Sequence, residues 1–109
     1  MIEEPEKAIA IYEKYLELNG NDLEVSKRYA HLLLSMGEYD QCYDRILEGL
    51  MQYHPHDSEV LTMAGIYFIQ MEYLNDAEIM FKNSLAIQAN SVDTWYQYAV
   101  LLNKMDRFK

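Results

Sequence analysis

One pattern of large and small residues recurs along this chain at a nearly constant interval. Leu61 and Trp95 occupy equivalent positions 34 residues apart. Cys42 and Ala77 are 35 residues apart, which indicates one extra residue, and we assign it to the connector at residues 54–57. A sustained interval of this length is typical of helical solenoids, whose repeats bury their apolar faces only against one another.

The repeating unit is predicted to be a pair of helices joined by a tight turn. Within residues 58–90, apolar stripes at helical spacing lie on both sides of a turn at residues 71–75. Ala64, Gly65 and Ala77 are small where the helices would cross, so the backbones can approach to about 8–10 Å. The same unit recurs on both sides, which predicts about six helices: residues 3–19, 22–36, 39–53, the two helices of residues 58–90, and residues 91–104.

One face of each helix is expected to form the core. On the first helices these positions are Ser26, Tyr29, Ala30 and Leu33, then Leu61, Ala64, Gly65 and Phe68, then Trp95, Tyr98, Ala99 and Leu102. On the second helices they are Ala8, Tyr12, Tyr15 and Leu16, then Cys42, Ile46, Gly49 and Leu50, then Ala77, Phe81, Ser84 and Leu85. Asn21 is expected to cap the second helix of the chain, with Glu24 completing a capping box.

The charge of the chain limits its partners. Asp and Glu number 18 against nine Lys and Arg, which gives a formal net charge of −9. This field repels phosphate backbones and anionic lipid head groups, so we expect no nucleic-acid partner and no membrane partner. Hydrophobic residues make up 50% of the 109 residues, which favours a folded domain over disorder.

Motifs for catalysis or metal binding are absent from the sequence. It contains no glycine-rich phosphate loop, no His-Glu-x-x-His and no Gly-x-Ser-x-Gly. His54 and His56 lie on either side of a proline with no clear third ligand, and Cys42 falls at a packing position. We therefore predict a protein that is not an enzyme and uses no metal and no cofactor. A single cysteine, without a visible signal peptide or transmembrane segment, favours a cytoplasmic location.

Several groups of residues match the pattern of one known repeat family. The first helix of that family's repeat is matched by Leu61, Ala64, Gly65 and Phe68 and by Trp95, Tyr98, Ala99 and Leu102. The turn of the repeat is matched by Gly37, Glu38 and Tyr39. The second helix of the repeat is matched by Ala8, Tyr12 and Tyr15 and by Ala77, Phe81 and Ser84. The chain thus resembles the tetratricopeptide repeat family, with Pro55 displaced by one residue from the usual terminal proline. The resemblance implies an all-α fold, a right-handed superhelix of antiparallel helix pairs.

The resemblance also divides residues 1–109 into parts of one repeat domain. Residues 3–19 correspond to the second helix of a partial repeat, residues 22–56 and 57–90 to two full repeats, and residues 91–109 to the first helix of another partial repeat. Both end helices are apolar nearly all round, which is typical of helices with neighbours on both sides. We therefore expect a fragment of a longer repeat array.

In this family the first helices form a concave wall that binds peptides or protein segments. Carried over by position, the partner-binding residues are Lys27, His31, Leu34, Glu59, Thr62, Ile66, Ile69, Asp93, Tyr96, Val100 and Asn103, with Glu24, Arg28, Met63 and Gln97 beside them. We expect an apolar floor at Leu34, Ile66, Ile69 and Val100, with Tyr96 as an anchor. Acidic groups are expected along one edge, at Glu24, Glu59 and Asp93. Such a wall favours a segment with apolar side chains and some basic ones.

Two other functions are weighed against this one. Some members of the family hold the acidic tail of heat-shock proteins with a clamp of Lys, Asn and Arg. Lys27 matches one clamp position, but Asp93 reverses a required charge, so heat-shock tail binding is not expected. The alternative in a different class is a structural module that pairs through its uncapped end helices into a homo-oligomer, with no peptide ligand.

Overall fold

Six helices joined by short turns make up the described part of the chain. The structure is a computed structural model that describes residues 5–106. The helices are α1 (Pro5–Leu18), α2 (Leu23–Ser35), α3 (residues 39–53), α4 (Ser58–Gln70), α5 (Leu74–Ile87) and α6 (Val92–Asp106). Residues 3 and 4 of the predicted first helix, and residues 107–109 of the predicted last partial repeat, lie outside the described residues.

The helices stack in one row. Each helix packs against the next one along the chain, and in addition α2 packs against α4 and α4 packs against α6. The result is an elongated body with extents of 46 × 28 × 24 Å. The contacts between alternate helices bring α2, α4 and α6 side by side on one wall. The predicted all-α solenoid of antiparallel helix pairs is thereby confirmed.

The crossing of α4 and α5 depends on a small residue. A Cβ atom added to Gly65 would lie 2.3 Å from the Phe81 ring, so the ring can pack there only against a glycine. Phe81 is completely buried in a core that also contains Ile69, Ala77 and Leu101. A second core lies between α2, α3 and α4, and its buried members are Tyr29, Ala30, Leu33, Leu34, Cys42, Leu47, Leu50, Val60 and Met63.

Aspartates cap α2 and α4. The side chain of Asp22 accepts a hydrogen bond from the backbone N–H of Val25 at 3.1 Å, and Asp57 accepts from the first N–H groups of α4 at 2.9 and 3.1 Å. The predicted cap at Asn21 is therefore wrong by one residue. Asp22 has the extended backbone that a capping residue requires, with φ −79° and ψ 98°.

Helix α3 contains one turn of π-helix. The segment Tyr43–Leu47 has π-helical hydrogen bonds and lies between the α-helical segments Tyr39–Cys42 and Glu48–Tyr53. Each π-helical hydrogen bond spans five residues instead of four, so the turn takes up one more residue than an α-helical turn. The Tyr43 ring in this turn stacks on the Tyr67 ring of α4, with centroids 4.8 Å apart and planes at 13°.

The extra residue of the repeat lies in this π-helical turn. The buried stripe is Ala77, Phe81 and Ser84 in α5, and Cys42, Leu47 and Leu50 in α3. Cys42 and Ala77 are 35 residues apart, but Leu47 and Phe81 are 34 apart. The interval therefore changes from 35 to 34 residues inside α3, so the extra residue lies there. The prediction that the extra residue lies in the connector at residues 54–57 is wrong. For the same reason Leu47 takes the buried place predicted for Ile46, and Gly49 is exposed.

Two equivalent turns hold a residue in the left-handed conformation. Gly37 follows α2 with φ 79°, and Glu72 follows α4 with φ 68°. In both turns the next backbone N–H donates to the carbonyl oxygen five residues earlier, at 3.0 and 2.9 Å, which is the Schellman pattern. Glycine adopts this conformation freely, whereas a residue with a side chain is strained there by about 1 kcal/mol.

The outer faces of the end helices differ from the prediction. Trp95, Ala99 and Leu102 are predicted core residues, but all three are exposed, Trp95 at 53% and Leu102 at 47%. The Trp95 indole N–H instead donates to the carbonyl oxygen of Ala89 at 2.7 Å. Tyr15 on α1 is exposed as well. The reason is that no described helix packs on these two faces, whereas α3 and α5 cover the equivalent faces of α2 and α4.

Deletion of Asp44 tests where the extra residue lies. Asp44 is an exposed residue of the π-helical turn, and its removal leaves an α-helical spacing between Cys42 and Leu47. We expect the variant to keep its helix content and to lose less than about 1 kcal/mol of unfolding free energy. The measurement is urea unfolding followed by far-ultraviolet circular dichroism.

The matched control is deletion of Ile79, an exposed residue in the corresponding turn of α5. That turn is a regular α-helix, so the deletion rotates all later residues by about 100°. Phe81 then leaves the core, at a cost of about 3–5 kcal/mol. Equal losses for the two deletions would show that α3 holds no extra residue in this turn.

Substitution of Glu72 by glycine tests the backbone strain. Glu72→Gly is expected to raise the unfolding free energy by about 0.5–1 kcal/mol, because it relieves the left-handed strain. It also removes an exposed ion pair with Lys104, whose Nζ lies 3.6 Å from the Glu72 carboxylate. Glu72→Gln removes the same ion pair and keeps the strain, so it should be neutral or slightly destabilising. Equal unfolding free energies for the two variants would argue against strain at this turn.

Candidate functional site

A groove runs across the wall formed by α2, α4 and α6. It has a volume of about 570 Å³ and is open on one side. Its lining residues are Glu24, Lys27, Arg28 and His31 of α2; Ser58, Glu59, Thr62, Met63 and Ile66 of α4; Gln88 and Ser91 between α5 and α6; and Asp93, Thr94 and Gln97 of α6. Because alternate helices stand side by side, residues one repeat apart, such as Glu59 and Asp93, face the same space.

Lys27 is held by two carboxylates where α2 meets α4. Its Nζ lies 3.1 Å from Asp57 Oδ2 and 2.6 Å from Glu59 Oε1. The Lys27 side chain is only 12% exposed, so its ammonium group stays with these two partners. Asp57 caps α4 at the same time. This group of three charges therefore fixes α2 against the start of α4 at one side of the groove.

The pKa shifts of this group favour its charged forms. Burial lowers the pKa of Lys27, but the hydrogen bonds of its ammonium to Glu59 and Asp57 outweigh burial, and the pKa is raised. Burial likewise raises the pKa of Asp57, but the backbone N–H of Val60 and the Lys27 ammonium outweigh it, and the pKa is lowered. Lys27 is thus charged at neutral pH, but its charge is already neutralised within the chain.

A polar network lies at the floor of the groove, formed by the hydroxyl groups of Thr62, Ser84, Ser91 and Thr94 and the backbone carbonyl oxygen of Ser58. Thr62 Oγ1 lies 2.8 Å from Ser84 Oγ and 2.7 Å from Thr94 Oγ1. Thr94 Oγ1 in turn lies 2.9 Å from Ser91 Oγ, and the Ser58 carbonyl oxygen accepts hydrogen bonds from Thr62 and Ser84. In residues 5–106 no buried side-chain nitrogen or oxygen lacks a partner. The groove floor is therefore polar, and its hydroxyl groups connect α4, α5 and α6 by hydrogen bonds.

The ion pairs around the groove leave two negative charges uncompensated, one in the group in which Lys27 faces both Asp57 and Glu59 and one at Asp93. Arg28 forms an ion pair with Glu24, which lies one helical turn earlier in α2, with 3.5 Å between Arg28 Nε and Glu24 Oε2. Lys27 is neutralised as described above. Asp93 is exposed in the first turn of α6 and forms no ion pair with any residue of the described part of the chain. The α6 side of the groove consequently presents a negative charge.

The structure brings together six of the predicted partner-binding residues. Lys27, His31, Glu59, Thr62, Ile66 and Asp93 all line the groove. Leu34 and Ile69, which are predicted to form its apolar floor, lie instead in the two cores. These residues near the ends of α2 and α4 face neighbouring helices, so their side chains are covered. The apolar side chain that the groove presents is that of Ile66, which is half-buried. Met63 borders the groove but is only 5% exposed and belongs to the core.

Three predicted residues lie on α6 outside the groove. Tyr96 is exposed, and Val100 is half-buried. Asn103 lines a separate depression near the end of α6, together with Leu102, Met105 and Asp106. The contribution of α6 to the groove comes from its first two turns, at Asp93, Thr94 and Gln97. A partner-binding role for Tyr96, Val100 and Asn103 stays a prediction.

Sequence reasoning missed four lining residues, Ser58, Gln88, Ser91 and Thr94. Ser58 Oγ donates to Gln88 Oε1 at 2.9 Å, so these residues connect the two ends of the α4–α5 hairpin. Ser58 lies one helical turn before Thr62, and Thr94 lies one turn before Gln97, so both share a face with a predicted wall residue. Helical spacing could have found these two. Gln88 and Ser91 lie between helices, where that spacing gives no signal.

Other chemically reactive groups are few in the described chain. Burial raises the pKa of the Cys42 thiol to about 12, and its Sγ donates to the carbonyl oxygen of Ala30 at 3.4 Å. Residues 5–106 contain no group of three or more His, Cys, Asp or Glu that could hold a metal ion. Among the same residues, no helix combines the length and the hydropathy that crossing a membrane requires.

Helix pairs stacked in a row, with a groove across alternate helices, define a helical-repeat protein of the kind that binds other proteins. Comparison with protein-family models gives a match to the tetratricopeptide repeat over residues 3–62. The match covers more than half of the chain. The chain therefore belongs to the tetratricopeptide repeat family, as its sequence indicates. Repeats of this family mediate protein–protein interactions. A search of curated proteins gives no match.

The charge group at Lys27 predicts a pH dependence of stability. The pKa of Asp57 is lower in the folded chain than in the unfolded one, so Asp57 stabilises the fold above its unfolded pKa. That contribution is lost as the pH falls below about 4 and through the folded pKa. Asp57→Asn keeps a side chain that can cap a helix but removes the charge. We expect it to be less stable than the parent chain by about 1 kcal/mol at neutral pH.

The measurement is urea unfolding of both proteins at neutral pH and at about pH 3. The difference in unfolding free energy should shrink at the lower pH, because protonation of Asp57 in the unfolded parent chain removes part of the stability that its charge contributes. A difference that stays constant between the two conditions would show that the charge of Asp57 contributes nothing to stability.

Proposed function

We propose that this protein binds an extended segment of another protein in the groove across α2, α4 and α6, without catalysis. The proposal depends chiefly on one observation, the uncompensated carboxylate of Asp93 in a groove that also presents Ile66. A partner segment would place a basic side chain at Asp93 and an apolar side chain at Ile66. The net charge of −9 adds a long-range attraction for the same kind of partner.

The dimensions of the wall set the length of the segment. Adjacent packed helices are separated by about 8–10 Å, so three of them side by side span roughly 20 Å. An extended chain advances about 3.3 Å per residue, so about six residues cross the wall. The polar network below the groove has its hydrogen bonds satisfied internally. Recognition would therefore depend on the charges and the apolar side chains rather than on unpaired hydroxyl groups.

A segment that ends in a carboxylate group is a poor fit to this groove. The cation at the first clamp position, Lys27, is already bonded to Asp57 and Glu59. Asp93, at another clamp position, would repel a carboxylate. These two features support the expectation that the acidic tails of heat-shock proteins are not the partner.

A separate observation favours self-assembly as a second function. The outer faces of α1 and α6, the first and last described helices, expose large apolar side chains, including Ile11 and Leu18 on α1 and Trp95 and Leu102 on α6. Contiguous exposed apolar surface of this kind often marks an interface. We propose that these faces are covered by other copies of the chain, independently of the groove.

Selection from a displayed library of random 12-residue peptides tests the groove. We expect selected peptides to combine basic and apolar side chains and to bind with micromolar dissociation constants. For a synthetic selected peptide, Asp93→Lys should weaken binding at least tenfold, which corresponds to about 1.4 kcal/mol. The measurement is isothermal titration calorimetry with the parent chain and the variant.

Asp76→Lys is the matched control. Asp76 is also an exposed aspartate in the first turn of a helix, α5, but it does not line the groove. The two variants therefore change the net charge and the helix terminus equally, and only Asp93→Lys changes the groove. Equal weakening in both variants would show that general electrostatic attraction, rather than the groove, holds the peptide.

A further inference from the structure

The exposed stripe on α6 has a buried counterpart in each preceding first helix. The stripe consists of Trp95, Ala99 and Leu102. In α4 the equivalent residues, 34 positions earlier, are Leu61, Gly65 and Phe68. In α2 the equivalent residues are Ser26, Ala30 and Leu33. Of these six residues in α2 and α4, five are buried and Phe68 is half-buried. In α2 and α4 this face is covered by the second helix of the same repeat, and in α6 no described helix covers it.

Helix α1 has the complementary exposed face. By its place in the row α1 is a second helix, like α3 and α5, each of which packs on the first helix before it and on the one after it. Only the helix after it, α2, is present for α1 among the described residues. The outer side of α1 carries Ile11 and Tyr15, which are exposed at 69% and 40%. Their equivalents in α5 are Met80, which is half-buried, and Ser84, which is buried.

The aromatic contacts show that α1 sits in the same register as α5. Phe81 of α5 lies 6.0 Å from Tyr98 of the following helix, with ring planes at 36°. Tyr12 of α1, at the equivalent position, lies 6.0 Å from Tyr29 of its following helix, with ring planes at 38°. On its other side the Phe81 ring packs over Gly65. The corresponding side of α1 faces no described helix.

We propose that α1 of one copy packs on the exposed stripe of α6 of another copy, so that the two helices complete one repeat between the chains. This inference rests on the self-assembly function proposed above. Ala99 would then lie where Gly65 lies beneath Phe81. The α1 residue at the Phe81 position is Tyr12, so the crossing of α1 and α6 must be wider than that of α4 and α5 by the room that the Ala99 methyl group needs. Ala30, completely buried in α2, shows that a methyl group is accommodated at this position where the second helix carries Leu47 in the place of Phe81. The contact joins two different surfaces, the face of α6 on one copy and the face of α1 on the next. It is therefore heterologous, and copies add head to tail.

Two single substitutions separate the halves of this contact. Leu102→Glu blocks the α6 face and leaves α1 intact, and Ile11→Glu blocks the α1 face and leaves α6 intact. Both residues are exposed, so both variants should fold, which far-ultraviolet circular dichroism checks. Sedimentation velocity over a wide range of concentration should show oligomers of increasing size for the parent chain and monomers for each variant alone.

Mixing the two variants gives the decisive result. Leu102→Glu retains a usable α1 and Ile11→Glu retains a usable α6, so the mixture should form a 1:1 pair and nothing larger. Trp95 lies in the contact, so its fluorescence emission should shift to shorter wavelength in the mixture and in neither variant alone. Ile79→Glu, at an exposed residue of α5 outside both faces, is the control and should assemble like the parent chain.

The other outcomes each overturn a distinct statement. A parent chain that stays monomeric at every concentration would overturn self-assembly altogether. A parent chain that assembles, with a mixture of the two variants that stays monomeric, would overturn only the head-to-tail arrangement. Assembly of either variant alone would do the same, because it would mean that α6 pairs with α6 or α1 with α1.

Discussion

The packing of the Phe81 side chain over Gly65, where α4 crosses α5, determines where the other parts of this structure lie. The Phe81 ring occupies the space that a Cβ atom of Gly65 would fill, and this close contact brings α4 and α5 together. Burial of a phenylalanine side chain contributes about 2–3 kcal/mol. Because similar crossings follow one another at a fixed interval, alternate helices stand side by side, and the groove is the surface that they share.

The π-helical turn of α3 shows how strongly this crossing constrains the chain. Helix α3 has one residue more than the repeat interval allows. A regular helix would turn Leu47 and Leu50 out of the core, and losing one buried leucine costs about 2–5 kcal/mol. The backbone instead absorbs the residue in a single turn with poorer hydrogen bonds. Packing, rather than the ideal helical period, therefore sets the register of α3.

The sequence predicted the architecture well because a repeat supplies the same information several times. Small residues such as Gly65 and Ala77 indicated the crossings without any knowledge of distant contacts. The prediction failed where a residue depends on a neighbour that the pattern does not reveal. Trp95 holds a core position of the repeat, but no helix of the described part of the chain packs on its face, so it is exposed.

The groove was predictable in outline and not in its chemistry. Six of the residues that position in the repeat assigns to the wall line the groove, among them Lys27 and Asp93. It could not show that Leu34 and Ile69 would be buried by neighbouring helices, because both wall and core positions repeat at the same interval. Nor could it reveal that Thr62 meets Thr94, 32 residues away, since hydrogen bonds between separate helices leave no periodic signal.

The two proposed functions are linked by the geometry of the row. If copies add head to tail, α2 of the second copy stands beside α6 of the first, and the wall continues across the contact. Thr62 of α4 faces Thr94 of α6 at 2.7 Å, and Tyr96 is 34 residues after Thr62. By this equivalence Tyr96, exposed beside the groove in one copy, would face α2 of the next. Assembly would then lengthen the groove, and a partner with several basic segments would gain affinity through multivalency.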